Sequence, residues 1–137
     1  MNDTTRVIII PCSGIGKTYG TVSREAAYEV IDEMCPQTST LVPLSKLVLG
    51  DGAAQTAVAE NRVITIDGCS LACATKMVEE SGGSVNHQFA VLDAYRRHRQ
   101  MKPRGISELN EGGLQLAHAL ATEIAAAVDE LQGEENA

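Results

Sequence analysis

Short apolar runs along this chain alternate with longer segments in which apolar residues recur at helical spacing. Val7 to Ile10 is continuously apolar and β-branched and ends at Pro11, a pattern typical of a strand that is covered on both faces. Thr40 to Leu44, Val63 to Ile66 and Val85 to Leu92 have the composition of further strands. The pattern therefore predicts a sheet of four strands.

The segment between the first two strands predicts a helix over Val22 to Met34, because its apolar residues recur every three or four positions. Thr21 or Ser23 can cap the start of this helix with a hydroxyl group. Its end is expected near Cys35, since Pro36 follows and the residue before a proline disfavours helical geometry.

Three later segments also carry helical patterns. Asp51 to Glu60 is compatible with a short alanine-rich helix, and Ala72 to Ser81 predicts a helix that Ser70 caps and a pair of glycines ends. Gly113 to Leu131 predicts the last helix, because its large apolar residues form one stripe. Residues 132–137 follow as an acidic tail that we expect to be mobile.

Strands that alternate with helices predict an α/β protein with a mostly parallel sheet and right-handed crossovers. We expect one small doubly wound domain over residues 1–137, flavodoxin- or Rossmann-like, with four strands and helices on both faces. Ligands of such folds bind beyond the carboxyl ends of the strands, where successive connections leave for opposite faces. Residues 11–20 and 67–73 are the loops predicted to build that crevice.

The composition fits one domain with an aliphatic core. A chain of 137 residues buries about 65–70% of its unfolded surface around a single core. One phenylalanine and three tyrosines leave few platforms for stacking bases or flavins. The longest apolar run is far shorter than the ~20 residues of a membrane span, and the first residues lack a signal-peptide pattern. We therefore expect a cytoplasmic protein whose cysteines are reduced.

A basic segment interrupts an otherwise acidic chain with a formal net charge of -7. Arg96 to Arg104 contains five of the 11 basic residues, but the overall acidity and the missing aromatic residues argue against nucleic acid as a partner. We interpret the segment as a solvated connector that pairs with acidic residues of 129–135 or with a protein partner. His118 lies beside the apolar stripe of the last helix and is expected in the core. His87 is the one histidine placed to be a metal ligand.

Three of the four cysteines follow predicted strands. Cys12 comes after the first strand, Cys69 after the third, and Cys73 one helical turn beyond Cys69. If the first and third strands are neighbours, their ends lie ~5 Å apart, so Cys12 and Cys69 can reach one ion. Helix N-termini favour thiolates, and three thiolates bind soft or borderline cations. Zn²⁺ is the default by geometry, and an iron-sulfur cluster or Cu(I) stays open.

Cys35 does not fit this arrangement. A helix over residues 22–34 rises ~1.5 Å per residue and carries Cys35 about 20 Å from Cys12, to the opposite edge of the sheet. Cys35 joins the same ion only if the preceding loop first runs down the molecule or if a second subunit supplies it, as in a homodimer.

The chain resembles the DGC-domain family of small proteins that are regarded as zinc-binding. The resemblance covers roughly Val7 to Val91 and rests on Asp67-Gly68-Cys69, on Cys73-Ala74, on Pro11-Cys12-Ser13-Gly14-x-Gly16-Lys17 and on the helix Arg24-Glu25-Ala26-Ala27. It implies that Cys12, Cys35, Cys69 and Cys73 together hold zinc. It implies no particular reaction, because the family is labelled by its metal.

The glycine-containing loop offers a rival interpretation. Pro11 to Thr18 differs from a Walker A loop only at the first glycine, and Val63 to Asp67 is similar to a Walker B strand. Pro11 removes the freedom and the N–H of that glycine, and a helix that starts after Thr21 starts later than a P-loop needs. Nucleotide hydrolysis is therefore disfavoured. A weaker form, a site for a small anion or substrate beside the metal, is as well supported as a flexible turn with a solvated lysine. The residues of that site would be Ser13, Gly14, Gly16 and Lys17.

The sequence thus favours a small cytoplasmic metal-binding protein. With four cysteine ligands the site is closed and the metal is structural or carried. With three, an open position could bind water, a thiol or a small anionic ligand and support Lewis-acid chemistry, so the two functions differ by one ligand and the sequence leaves open whether the protein is an enzyme. The alternative is thiol chemistry: Cys69 and Cys73 cycle between dithiol and disulfide, or Cys12 carries sulfur as a persulfide.

Overall fold

A computed structural model describes residues 6–12, 17–68, 72–106 and 108–136 of the protein, with side chains as far as residue 133. Four parallel strands form its central sheet in the order β2-β1-β3-β4. This confirms the predicted α/β fold with its parallel four-stranded sheet. In chain order the elements are β1 (Val7–Pro11), α1 (Thr18–Glu29), a π-helical turn (Val30–Met34), β2 (Ser39–Leu41), α2 (Leu44–Val48), α3 (Gly52–Glu60), β3 (Val63–Asp67), α4 (Cys73–Glu80), β4 (His87–Ala90), α5 (Val91–Arg97), a 3₁₀ turn (Arg99–Met101) and α6 (Glu111–Asn136).

The β-branched runs form the two central strands because both faces of these strands are buried. Along β1, Ile9 faces a core shared with α1, α5 and α6, whereas its neighbours Ile8 and Ile10 face a second core shared with α2, α3 and α4. In β3, Ile64 and Val63 divide between the same two cores. Continuous apolar sequence is what such a doubly covered strand requires.

The two cores also establish the winding of the chain. Helix α1 connects β1 to β2 across one face, and α2 and α3 connect β2 to β3 across the other. β1 and β3 are neighbours. The connections that leave their carboxyl ends go to opposite faces, since α1 packs in the first core and α4 in the second. The predicted switch point therefore lies between β1 and β3.

The predicted start of the first helix is wrong. Helix α1 begins at Thr18, directly after Lys17, which has extended backbone geometry. Thr21 and Ser23 lie inside the helix and do not cap it. The Thr21 hydroxyl donates to the carbonyl of Ile106, and the Ser23 hydroxyl lies 2.7 Å from the carbonyl of Gly20. The helix continues through the π-helical turn and ends at Met34, next to Cys35, as predicted.

Several other boundaries differ from the prediction. β2 ends at Leu41, and Leu44 begins α2 after Pro43. β4 ends at Ala90, and Val91 begins a helix because Val91 and Ala94, three positions apart, both face the core. Helix α6 begins two residues earlier than predicted and continues through the segment that the sequence assigned to the tail.

His118 is not in the core. Its side chain is 64% exposed, and its Nδ1 atom lies 2.7 Å from a carboxylate oxygen of Glu29 on α1. Of the basic segment, Arg97 pairs with Glu123 at 2.9 Å and Arg96 lies 3.7 Å from Asp93, so the ion pairs described for these two arginines are with residues outside 129–135. Within the described residues, no helix is long and apolar enough to span a membrane.

Candidate metal centre

The carboxyl ends of β1 and β3 bring Cys12 to the predicted crevice. Cys12 directly follows β1, and its backbone N–H donates to the carbonyl of Ile66 in β3 over 2.7 Å. Its side chain is 5% exposed. The carbonyl of Cys12 lies 3.0 Å from the Ser23 hydroxyl, which ties this end of β1 to α1. The position of Cys12 is therefore fixed by contacts to two elements.

The Asp-Gly pair that follows β3 has a different structural function at each residue. The Asp67 carboxylate is buried and accepts a hydrogen bond from the backbone N–H of Ala74 over 2.9 Å, so it caps α4. Gly68 allows close approach of two backbones: a Cβ atom there would lie 3.1 Å from the nitrogen of Gly20 and 3.2 Å from the carbonyl carbon of Tyr19. This pair thus holds the end of β3 against the first turns of both α1 and α4.

Cys73 is the first residue of α4 and is exposed. Ala72 before it has left-handed backbone geometry, with φ 54° and ψ 46°. A helix N-terminus stabilises a thiolate through its free N–H groups and the helix dipole. Because Asp67 holds α4 at the end of β3, Cys73 belongs to the same carboxyl edge as Cys12.

Cys69 lies outside the described residues. It follows Gly68, which contacts α1, and precedes Cys73 by one helical turn in sequence. Among the described residues, no three His, Cys, Asp or Glu side chains are grouped as a metal site. The structure thus brings Cys12 and Cys73 to one edge, and Cys69 is the third cysteine of the predicted set.

Cys35 lies at the opposite edge of the sheet. Its carbonyl accepts a hydrogen bond from the N–H of Ser39 over 3.0 Å, and Ser39 pairs with Val7 at the start of β1. From there to the end of β1 is about 13 Å at ~3.3 Å per residue, whereas two sulfurs on one Zn²⁺ lie within ~4.6 Å of each other. The structure does not bring Cys35 to Cys12.

The environment of Cys35 also disfavours its thiolate. The side chain is 6% exposed. Burial raises the pKa of this thiol, the carboxylate of Asp129 on α6 raises it further, and a hydrogen bond with Thr38 lowers it in part. A protonated thiol is a poor metal ligand. Cys35 therefore functions here as a core residue.

The predicted anion loop is described only at its end. Lys17 is exposed and immediately precedes α1, and Ser13, Gly14 and Gly16 lie outside the described residues. His87, considered above as a ligand, begins β4 and pairs with Ile64 at the amino end of the sheet. It does not lie at the edge that carries Cys12.

A buried polar network surrounds the Asp67 carboxylate and adds to its capping of α4, which its place at the end of a strand already indicates. Besides Ala74, its carboxylate accepts hydrogen bonds from the hydroxyl of Thr75 and the amide of Gln88. The hydroxyls of Thr75 and Thr65 lie 2.8 Å apart. The sequence signals of this network are the carboxylate at the end of β3 and a threonine inside the otherwise apolar run of that strand.

These features define a doubly wound α/β protein with cysteines at its switch-point edge. The DGC domain family matches residues 8–112, and the chain belongs to this family. Neither the curated proteins nor the solved structures with which the chain was compared gave a match.

Proposed function

We propose that the protein binds one metal ion, preferably Zn²⁺, through the thiolates of Cys12, Cys69 and Cys73 in the cytoplasm. The observation that carries the proposal is the position of Cys12 and Cys73, which come from two segments far apart in the chain and lie at one edge of the sheet. Membership of the DGC domain family supports it.

The chemistry of the donors fits Zn²⁺ or a related ion. Thiolates suit soft and borderline cations, and a metal at this edge would contact sulfurs from the ends of two neighbouring strands. With Cys35 at the other edge, one chain supplies three thiolates and a fourth position stays open for water, a thiol or a small anion. A bound Zn²⁺ supplies Lewis acidity at such a position. Metal transfer or metal-assisted chemistry is therefore better supported than a closed structural site.

A metal-loading experiment tests the proposal. The protein is prepared anaerobically without an affinity tag or chelator, and its metal content is measured by elemental analysis with an absorption spectrum. We expect about one zinc per chain, lost in Cys12→Ser, Cys69→Ser and Cys73→Ser. Cys35→Ser is the matched control and keeps its zinc. Loss of zinc from a folded Cys35→Ser variant would refute the three-cysteine site, and an iron-containing brown protein would replace zinc with an iron-sulfur cluster.

Thiol redox chemistry is the alternative that one observation favours. Cys73 is exposed at a helix N-terminus, which is where reactive thiols occur. A metal-free protein that forms a reversible Cys69–Cys73 disulfide would support this function. The same preparation distinguishes the two, because zinc bound to these thiolates slows their oxidation and alkylation.

The start of α1 favours a small-anion site beside the metal. Because α1 begins at Thr18, the loop continues directly into a helix after Lys17, as phosphate-binding loops do. The start of α1 at Thr18 does not make nucleotide hydrolysis the better-supported function. Asp67, the carboxylate of the Walker B-like strand, already accepts hydrogen bonds at both oxygens. Titration with inorganic phosphate tests the site. Binding that Lys17→Ala weakens supports it, and equal binding by wild type and Lys17→Ala refutes it.

A further inference from the structure

Asp67 is the one acidic or basic residue that is buried among the described residues, at 1% exposure. One oxygen accepts the backbone N–H of Ala74 over 2.9 Å. The other accepts the Thr75 hydroxyl over 2.7 Å and the Gln88 amide over 3.0 Å. These three hydrogen bonds use most of the acceptor capacity of a carboxylate. The Asp67 carboxylate is therefore directed toward α4 and β4 and not toward a metal.

These hydrogen bonds replace a cap that α4 lacks. The residue at the N-cap position is Ala72, which has no side-chain acceptor and has left-handed geometry at φ 54°. A residue with a Cβ atom in this region is strained, so surrounding contacts must hold it there. Asp67 does so from the preceding strand, because its bond to Ala74 fixes the second residue of the helix.

The same network ties α4 to the sheet at two further points. Thr75 contacts Thr65 of β3 through hydroxyls 2.8 Å apart. Gln88 extends the network to β4. Cys73 lies directly between the strained Ala72 and the anchored Ala74, so the position of its sulfur depends on the first turn of α4.

We propose that Asp67 is a positioning residue of the metal site: it fixes the first turn of α4, and with it Cys73, and is not itself a ligand. The inference rests on the proposed metal function. The first residue of the Asp-Gly-Cys triplet thus positions the thiolate of Cys73. The inference further predicts that Thr75, which never contacts the metal, affects metal affinity in the same direction.

Co²⁺ is a suitable probe because thiolate ligands give it an intense charge-transfer absorption. Apo wild type, Asp67→Asn and Thr75→Val are titrated with Co²⁺ in competition with a chelator. Asn keeps the volume of Asp but places an amide donor or a neutral oxygen toward Thr75 and Gln88. We expect Asp67→Asn to weaken Co²⁺ binding about 10- to 100-fold, Thr75→Val to weaken it less, and both to reach the wild-type spectrum at saturation.

Asp51→Asn is the matched control. Asp51 caps α3 by accepting the N–H of Ala54 over 2.9 Å, the same kind of bond as that of Asp67, but at a helix without cysteines. We expect its Co²⁺ affinity to equal that of the wild type. If Asp67→Asn does not fold, Thr75→Val carries the test alone, because it leaves the Asp67 bond to Ala74 in place.

Three results would overturn the inference: a wild-type Co²⁺ affinity in both Asp67→Asn and Thr75→Val, an equal loss in Asp51→Asn, or a changed spectrum at saturation of Asp67→Asn, which would make Asp67 a ligand. Amide exchange of the first turn of α4 in the apo protein is measured in parallel. If wild type gives no charge-transfer band but Asp67→Asn accelerates this exchange, the metal function fails and the anchoring of Cys73 by Asp67 stands. If the band forms and the exchange is unchanged, the metal function stands and the positioning role fails.

Discussion

Gly68→Ala is a sharp test of how the site is assembled, because the new methyl group would meet only backbone atoms. Its Cβ would lie 3.1 Å from the nitrogen of Gly20 and 3.2 Å from the carbonyl carbon and oxygen of Tyr19. Carbon atoms in favourable contact are ~3.5–4.0 Å apart. No side chain can rotate away to relieve this contact, so the first turn of α1 or the end of β3 must shift by several tenths of an ångström.

The expected cost follows from two opposing effects. Overpacking a well-packed site typically costs about 1–3 kcal/mol. Replacing glycine lowers the entropy of the unfolded chain and returns ~0.4–1 kcal/mol, because the φ of Gly68 is not in the left-handed region. We therefore expect a net loss of roughly 0–2.6 kcal/mol, with a midpoint of about 1.3 kcal/mol, in the free energy of unfolding. Metal affinity should fall as well, since the shift displaces the segment that leads to Cys69.

Urea unfolding followed by circular dichroism measures the stability change, and Co²⁺ titration measures the affinity. Gly52→Ala is the control, because its Cβ would meet no atom within 4 Å at the start of α3. That variant should be as stable as wild type or slightly more stable. A Gly68→Ala protein with unchanged stability and unchanged metal affinity would refute the claim that backbone approach at this glycine builds the site.

Three further changes have calculable outcomes. Cys35→Ala should lower the free energy of unfolding by about 1–3 kcal/mol at pH 7, measured by urea unfolding. Because burial raises the pKa of this thiol in the folded protein, the unfolded chain loses the proton first, and wild type loses stability as the pH rises from 9.0, the ordinary cysteine value, toward the raised value. Over that range the cost of the substitution should shrink by at most ~1.4 kcal/mol per pH unit. A constant cost at pH 7 and 10 would contradict this. Ser23→Ala removes the hydroxyl beside the Cys12 carbonyl and should cost ~1–3 kcal/mol by the same assay, unless water replaces it. His118→Gln removes an exposed pair with Glu29 and should lower the free energy of unfolding by less than ~1 kcal/mol. A larger loss would contradict the small contribution that exposure implies for this pair.

The sequence predicted the sheet well because its strands carry an unambiguous signal. The run from Val7 to Ile10 favours a buried strand because it is short, β-branched and bounded by a proline. The run from Phe89 through Leu92 was ambiguous, and its second half is helical because Val91 and Ala94 together face the core. The hydroxyl residues at the start of α1 were misleading, since threonine and serine favour caps but can also bond to backbone carbonyls inside a helix, as Thr21 and Ser23 do.

The candidate site was predictable to the extent that topology alone places it. Neighbouring strands β1 and β3 bring Cys12 toward the loop of Cys69 whatever the side chains do. The network of Asp67 was not predictable, because Gln88 lies 21 residues further along and only the pairing of β3 with β4 brings it near. A carboxylate at the end of a strand carries no sign in the sequence of which donors it will meet.

The position of Cys35 bears on whether the four cysteines of this chain can bind one ion. Its carbonyl accepts hydrogen bonds from Ser39 through both the N–H and the hydroxyl, so it is built into the connection that starts β2. Cys12 directly follows β1, and moving either residue toward the other would break the parallel pairing of β1 with β2. A four-cysteine site within one chain would therefore require a different fold of this edge, and without that change Cys35 would have to come from a second subunit. A three-thiolate site needs neither change. Its open fourth position would allow a bound metal to be transferred to another ligand or to activate a molecule bound there.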